Sequence, residues 1–423
     1  MGILGLKNSG ERKELTVEQM INFFLYTLIY LLPFIYSPFG SESYYFPKAI
    51  FLWIISLIIL ILLLKDRKVK LDTITKVIII FLVLIVISTI FSMDFTKSIV
   101  GGIWRYEGLL SFLSYGVLFI AAKNYLKITK RSINIMMILG AIMSIYGVFQ
   151  FYGIDPVPRD YFHSTLMECY GFIGHRNFFS SYLLILLGIS ISVFIFYDVK
   201  SYLIYSLIFF AALVGTMTRG GWLSLAAVCF IGLFFILKRK NALKRAIIIV
   251  ISFTCIFFAM NYFKGGEIKD RFETIKEDIS DVTHSSGSGR VAIYEASTYI
   301  IKSKPLLGTG PSNFWEGIKE FAPSSGVWWN EQPNVIVDKA HNEYLNIAAT
   351  TGIPSLIAYI LLVILILKKV FENKDDDKFK VLVIVILGYL IQALFNISVV
   401  SVAPIFWVIL GVSSNPKIIK EIK

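Results

Sequence analysis

The chain has 423 residues, of which 56% are apolar and 17% charged, and its mean hydropathy is +0.70. Soluble domains average about 45–50% apolar and about 25% charged residues, so this composition excludes an ordinary soluble domain and indicates a polytopic membrane protein. The net charge of +12 can indicate nucleic-acid binding, but the lysines and arginines concentrate in alternate short loops. That distribution excludes a nucleic-acid partner as the reason for the charge and predicts that both termini are cytoplasmic.

Apolar runs long enough to cross a bilayer recur along the chain, and each predicts a membrane-spanning helix. They predict an all-α fold with about twelve spans, at residues 18–38, 46–64, 75–93, 108–125, 133–152, 177–197, 201–217, 220–237, 245–263, 345–367, 380–397 and 399–414. The first span has no small-residue cleavage site, so we expect a retained anchor. The predicted organisation is a cytoplasmic segment (1–17), nine spans (18–263), an extracytoplasmic loop (264–344), three spans (345–414) and a cytoplasmic tail (415–423).

The long outer loop is neither a simple connection nor low-complexity sequence, and loops of this length are usually functional or disordered. Its stretch GEIKDRFETIKEDISDV places apolar residues on one helical face, which predicts a helix suited to a membrane surface. Two further helices are predicted, at RVAIYEASTYIIKSK and WEGIKEFA. The tract PLLGTGP between them predicts turns and is not a Walker loop, because no GK[ST] follows. The three cysteines provide neither a disulfide framework nor a metal site.

The polar residues suited to chemistry lie on the predicted outer side, at the membrane–water boundary. The span interiors are nearly free of ionisable groups, which argues against an ion-coupled transporter, whose coupling residues lie near the bilayer midplane. The outer-side histidines and arginines are His163, His175, His284, His341, Arg105, Arg159, Arg176, Arg219, Arg271 and Arg290.

The stretch TMTRGGW places Arg219 in a tight turn between two spans. A structural interpretation is an arginine that caps the preceding helix. A functional one is a planar guanidinium fork presented to a phosphate at the start of the next helix. Under that second interpretation, Gly220 and Gly221 allow a large anionic group to come close.

The stretch GHRN precedes another span, with Asn177 as the predicted N-cap and Arg176 as a second cation at the same level. Interfacial anchoring is the alternative interpretation of this stretch. Arg105, within RYEGLL, is either part of an interfacial belt of aromatic and charged residues or a supporting member of the same site.

The stretch DKAHNEYL leads from the outer loop into the tenth predicted span. His341 can be a neutral base near pH 7, and either Asp338 or Glu343 could orient it, with Asn342 beside it. A lone histidine is more often structural, and Arg290, taken alone, is a solvated loop arginine.

Together and in this order, these motifs resemble the O-antigen ligase family of bacterial membrane glycosyltransferases, which includes polymerases and protein O-oligosaccharyltransferases. The motifs are Arg-Tyr-Glu-Gly-Leu, Gly-x-x-Gly-x-x-Asn-Phe, Thr-Arg-Gly-Gly-Trp, Lys-Pro-Leu-Leu-Gly-Thr-Gly-Pro-x-Asn-Phe and Ala-His-Asn-x-x-Leu, spread over roughly 98–365. The chain departs from many members at Thr350-Thr351-Gly352, where those members carry an acidic residue.

The resemblance implies a GT-C-type helical fold in the cytoplasmic membrane, and glycan transfer from a polyprenyl diphosphate carrier to an acceptor hydroxyl on the outer face, without metal or cofactor. It assigns Arg219 and Arg290 to the diphosphate with Arg176 in support, and His341 to the acceptor. Asn342, Glu343, Asp338, Asn177 and Arg105 are supporting residues. The acceptor stays open between a lipid core, a growing polysaccharide and a protein. A lipid-linked oligosaccharide flippase and a non-enzymatic membrane scaffold are the alternatives.

Overall fold

The computed structural model describes residues 15–39, 42–67, 69–158, 168–280, 286–322, 336–372 and 376–415. His163, His284 and Arg159 therefore lie outside the described residues, as do most of the predicted N-terminal segment and tail. The regular elements within the described ranges are helices, so the predicted all-α class is confirmed.

The seventeen α-helices of the described ranges connect through short turns and loops. In chain order they are α1 (Val17–Leu31), α2 (Tyr45–Asp66), α3 (Thr73–Ile90), α4 (Phe95–Val100), α5 (Leu109–Tyr125), α6 (Lys130–Phe151), α7 (Arg176–Tyr197), α8 (Ser201–Gly215), α9 (Arg219–Ile236), α10 (Lys240–Phe263), α11 (Glu267–Ser280), α12 (Ser286–Ser303), α13 (Phe314–Phe321), α14 (Glu343–Thr351), α15 (Ile353–Phe371), α16 (Asp377–Gln392) and α17 (Ala403–Ser413). A 3-10 turn, Leu32–Phe34, follows α1. Helices α11, α12 and α13 confirm the three helices predicted within the outer loop.

Eight helices, counted over the described ranges, are long and apolar enough to cross a membrane. They are Val17–Phe34, α2, α3, α6, α7, α9, α10 and α15. Helices α5, α8 and α17 are shorter apolar helices of the same character. The chain is therefore a polytopic membrane protein, as its composition predicts. The count of twelve spans and the GT-C assignment stay predictions.

Helix α7 is the centre of the bundle. Along its apolar window 94% of residues are buried, against 11% for α10 at the periphery. Helix α7 packs closely on α8 and α16, and α17 packs closely on α5. Glycines permit these approaches, because a Cβ added at Gly188 of α7 would lie 3.0 Å from Val385 of α16, and one at Gly411 of α17 would lie 2.5 Å from Phe119 O of α5.

The tenth predicted span, 345–367, is wrong as one continuous helix, because the chain breaks at Gly352 between α14 and α15. Gly352 has φ +88°, and an added Cβ would lie 2.1 Å from Leu306 O. The PLLGTGP segment, predicted as turns, packs into this break. Thr309 N and Gly310 N donate to Ala349 O and Thr350 O at 3.1 and 2.7 Å, which satisfies carbonyls that a helix end leaves without partners.

Candidate active site

Two loops on the predicted outer side are joined by a double ion pair. Arg105 Nε lies 2.7 Å from Asp338 Oδ2, and Lys339 Nζ lies 2.8 Å from Glu107 Oε2. The second pair is buried, with side-chain exposures of 2% for the lysine and 1% for the glutamate. Sequence reasoning named Arg105 and Asp338 separately and missed this pairing. The sequence signal for the pairing was the order of charges. Arg105 and Glu107 run positive then negative along the chain, whereas Asp338 and Lys339 run negative then positive.

The loop that carries Arg105 is held in an unusual backbone conformation. Trp104 and Tyr106, which flank the arginine, have φ of +75° and +51°, values that cost free energy for residues with a side chain. Gly101 has φ +98°, and an added Cβ would lie 2.3 Å from Glu107 N. The guanidinium stacks against the Tyr45 and Phe178 rings, 6.0 and 5.4 Å from their centroids. Packing therefore directs Arg105 towards Asp338.

His341 lies close to the Arg105–Asp338 pair and has φ +51°. Burial, together with the positive charges of Arg290 and Arg105, lowers the pKa of His341 to about 4 against the opposing effect of Asp338. The imidazole is therefore neutral at pH 7. Burial alone would favour the neutral form of Asp338, but Arg105, His341 and Lys339 outweigh burial, so the pKa of Asp338 lies below its ordinary value.

Arg290 reaches this group from α12. It lies one turn before Tyr294, and side chains four residues apart share a helix face. The Tyr294 hydroxyl lies 3.1 Å from Leu394 O and 3.5 Å from His341 O. Arg290 also acts electrostatically on both Tyr294 and His341. The structure therefore brings together four predicted site residues, Arg105, Arg290, Asp338 and His341.

The residues after His341 begin α14. Asn342 is its N-cap, and the Asn342 Oδ1 accepts hydrogen bonds from Tyr344 N and Leu345 N at 3.0 and 3.1 Å. Glu343 is buried, and its Oε1 accepts a hydrogen bond from the Tyr359 hydroxyl at 3.1 Å. Burial, together with the charge of Glu107, raises the pKa of Glu343 to about 8. Of the two carboxyls proposed to orient His341, Asp338 acts on it electrostatically, whereas Glu343 bonds to Tyr359.

The chain departs from the pattern of the family that it resembles at Thr350 and Thr351, which lie at the buried end of α14. The hydroxyls of Thr350 and Thr351 donate to Asn346 O and Ile347 O of their own helix, at 2.6 and 2.8 Å. Both threonines are 2% exposed.

Arg219 begins α9, next to α11. Its Nη1 donates to Thr274 Oγ1 at 3.2 Å, and Arg271 Nε donates to the carbonyl of Met217 at 3.3 Å. Met217 has φ +54°. The expectation that Gly220 and Gly221 admit an anion is wrong for this structure.

The space beside these two glycines is filled by protein. A Cβ added at Gly220 would lie 2.7 Å from Phe395 Cβ, and one at Gly221 would lie 3.0 Å from Ser180 Cβ. The glycines therefore allow α9 to pack against α7 and the end of α16.

Helix α7 begins with Arg176 and Asn177, close to the end of α16. Arg176 Nη1 lies 3.1 Å from Glu168 Oε1. The prediction that Asn177 is the N-cap is wrong, because His175 occupies that position and its Nδ1 accepts from Asn177 N at 3.2 Å. Asn177 O instead accepts a hydrogen bond from Asn396 Nδ2 at 2.9 Å.

The end of α16 connects two groups of residues. The His341 group comprises Arg105, Arg290, Asp338 and His341, and the Arg219 group comprises Arg219 and the neighbouring Arg271. Ala393 O accepts from Glu343 N at 2.8 Å on one side. On the other side Gln392 Oε1 accepts from Ser224 Oγ of α9 at 3.0 Å, and Phe395 packs on Gly220. Sequence reasoning missed this segment. Its signal is the pair Gln392 and Asn396, two amides four residues apart after an apolar run.

The two groups place guanidinium groups and a neutral imidazole around the end of one helix. Arginine forks are suited to oxygens of phosphate groups, and a neutral imidazole can accept a proton. Residues 204–360 match the family model described as O-antigen ligase. The matched range includes Arg219, Arg290, Asp338 and His341, while Arg105 and Arg176 lie before it. A search of curated proteins found no match.

Proposed function

Since this chain is a member of the O-antigen ligase family through residues 204–360, we propose that it transfers a glycan from a polyprenyl diphosphate carrier to an acceptor hydroxyl at the outer membrane face. The family supports a membrane glycan ligase or polymerase activity. The observation that carries the specific proposal is the convergence of Arg105, Arg290 and neutral His341 around Asp338.

The proposed donor explains the excess of cations. A lipid diphosphate carries several negative charges at the membrane surface, and more charge develops on it as the bond from the sugar C1 to the diphosphate oxygen breaks. Positive groups already in place stabilise that state more than the ground state. We assign Arg290 and Arg219 to the diphosphate and Arg176 to a supporting position, because Arg176 already pairs with Glu168.

His341 would accept the proton of the acceptor hydroxyl as that oxygen attacks the sugar C1. In the free protein Arg290 and Arg105 depress the pKa of His341. A bound diphosphate would offset those positive charges, so the imidazole would become more basic when the donor is present. Asp338, which pairs with Arg105 and acts on His341, would hold the two in position.

The test uses purified protein in nanodiscs with a polyprenyl-diphosphate-linked oligosaccharide. Three acceptors are supplied separately: a lipid core, additional donor and serine-containing peptides. Mass spectrometry follows the glycan with and without EDTA. We expect transfer to one acceptor, unaffected by EDTA, and a fall in kcat of about 10²–10³-fold for Arg219→Ala and for Arg290→Ala.

Lys269→Gln is the matched control, because Lys269 of α11 is a cation of the same outer loop with a 67% exposed side chain. Thermal unfolding of each variant separates loss of activity from loss of fold. Full activity in His341→Ala and Arg219→Ala would overturn the proposal. Movement of intact donor across sealed vesicles without transfer would favour the flippase alternative.

A further inference from the structure

A second site lies at the opposite ends of the helices from the candidate active site. We propose that an anionic phospholipid binds there, with its phosphate at the turn between α9 and α10 and the first methylene groups of one acyl chain between α7, α9, α10 and α16. The proposal is independent of the glycan transfer proposed above.

The phosphate position is a basic cavity of about 510 Å³. Two lining residues, Ile195 and Phe196, lie near the end of α7. The other five lie at the start of α10 and in the turn before it, namely Arg239, Lys240, Asn241, Ala242 and Arg245. Three of these seven residues are cations. Basic pockets between helices on the cytoplasmic side of membrane proteins are suited to anionic lipid headgroups.

The cations of this cavity are held in place by neighbouring helices. Arg245 Nη1 lies 3.1 Å from Asp198 Oδ2, and its Nε donates to Ile195 O at 2.8 Å. Arg239 Nη1 lies 2.7 Å from Asp377 Oδ1, and its guanidinium lies 6.0 Å from the Phe196 ring centroid. Such anchoring reduces the conformational entropy lost when an anion binds.

An apolar cavity of about 90 Å³ adjoins the basic one, and both are lined by Ile195 and Phe196. Its other walls come from α7, α9, α10 and α16. A charged pocket that continues into a small apolar cavity within the bundle matches the phosphate of a phospholipid and the part of one acyl chain next to its ester. Inorganic phosphate would use only the first part, and an uncharged lipid only the second.

Ser192 supplies an independent observation at the expected depth. It lines the apolar cavity and is 0% exposed, and its hydroxyl oxygen has no hydrogen-bond partner. A buried hydroxyl without a partner is costly. Ser192 lies one helical turn, about 6 Å, from Phe196. That is the region in which the ester carbonyls of a phospholipid would lie when its phosphate occupies the basic cavity, so Ser192 can donate to one of them.

The experiment measures lipid retention by native mass spectrometry of the full chain in detergent. Phosphatidylglycerol and phosphatidylcholine with identical acyl chains are added at equal concentrations. We expect wild-type protein to retain phosphatidylglycerol preferentially. Lys240→Gln should weaken its apparent affinity about fivefold, since one cation near a lipid phosphate contributes about that factor.

Two further variants test the chain position. Gly232→Leu should reduce retention by filling the apolar cavity, because a Cβ at Gly232 meets only Ile384 Cδ1, at 4.0 Å. Ser192→Ala should reduce it by removing the ester contact. Lys369→Gln is the charge-matched control, because Lys369 lies in the last turn of α15, outside the cavity, and it should retain phosphatidylglycerol like the wild type.

Equal retention of the two lipids by the wild type would overturn the proposal. So would full competition by glycerol phosphate at low millimolar concentration, which would show a site for a free anion. Unchanged retention in both Lys240→Gln and Gly232→Leu would place the bound lipid elsewhere and equally contradict it. Because Lys240 is exposed, its substitution tests the site without removing a buried contact.

Discussion

Arg105 Nε lies 2.7 Å from Asp338 Oδ2, while Glu107, two residues later, pairs with Lys339, the next residue after that aspartate. One ion pair would let the two loops pivot about a single contact. Two pairs fix both their separation and their register. His341 follows Lys339 by two residues, so the loop before α5 holds the proposed base in position although more than 230 residues separate them in the chain.

Glu107→Gln should be strongly destabilising. The substitution leaves Lys339 charged and buried without its carboxylate, and breaking one partner of a buried pair costs about 3–5 kcal/mol. Thermal unfolding in detergent is the measurement. The double variant Glu107→Gln with Lys339→Met removes the orphan charge and should recover most of the lost stability. A double variant no better than Glu107→Gln alone would count against a role for charge.

Gly352→Ala should destabilise the break between α14 and α15. The added Cβ would overlap Leu306 O, and φ +88° is unfavourable for any residue with a side chain. Gly153→Ala is the matched control, because Gly153 has φ +82° with nothing within 4 Å of an added Cβ. Both variants bear the cost of the backbone angle, about 1–3 kcal/mol. Only Gly352→Ala should show a further loss of thermal stability, and equal losses would refute the steric argument.

Arg290→Gln should change the pH dependence of the proposed glycan transfer as well as its rate. Arg290 lowers the pKa of His341, so its removal should raise that pKa from about 4. The acid limb of kcat/KM, which reports free-enzyme groups, should therefore move to higher pH. Profiles of wild type and Arg290→Gln between pH 4 and 8 provide the comparison. A loss of rate with an unmoved acid limb would separate Arg290 from His341.

Glu343 should make stability fall as pH rises. Its pKa in the folded protein is raised from 4.5 to about 8, so between these values the folded state binds more protons than the unfolded state. The free energy of unfolding then decreases with rising pH, by at most about 1.4 kcal/mol per pH unit. Glu343→Gln should flatten this part of the melting-temperature profile between pH 5 and 8. If the melting temperature of Glu343→Gln fell with pH as steeply as that of the wild type, Glu343 would be ionised across the whole range from pH 5 to 8.

The helices were predictable from sequence because a chain in lipid must satisfy its backbone hydrogen bonds internally, and long apolar runs therefore form helices. The break at Gly352 was not recognised, although Gly352 and Pro354 are both helix-breaking residues, because the apolar run continues through them. In the structure the break is stabilised by Thr309 and Gly310, which are distant in sequence and give no local signal.

The candidate site was predictable by location and less so by contact. His341 follows from its place beside the outer end of a predicted span, whereas Arg290 lies within the outer loop and follows only from the family resemblance. Their relation to Arg105 depends on an ion pair across 233 residues, which composition and periodicity do not encode. The glycines after Arg219 show the opposite error, because open space inferred from the residue type is filled by Phe395 and Ser180.

The end of α16 contacts the His341 group through main-chain atoms. Leu394 O accepts the hydrogen bond from Tyr294, while the Leu394 side chain is 44% exposed. The identity of residue 394 can therefore vary while its carbonyl keeps the same partner. Substitutions at residue 394 can therefore change the surface beside the arginines, and with it the acceptor of the proposed transfer. The hydrogen bonds that position the arginines would stay the same.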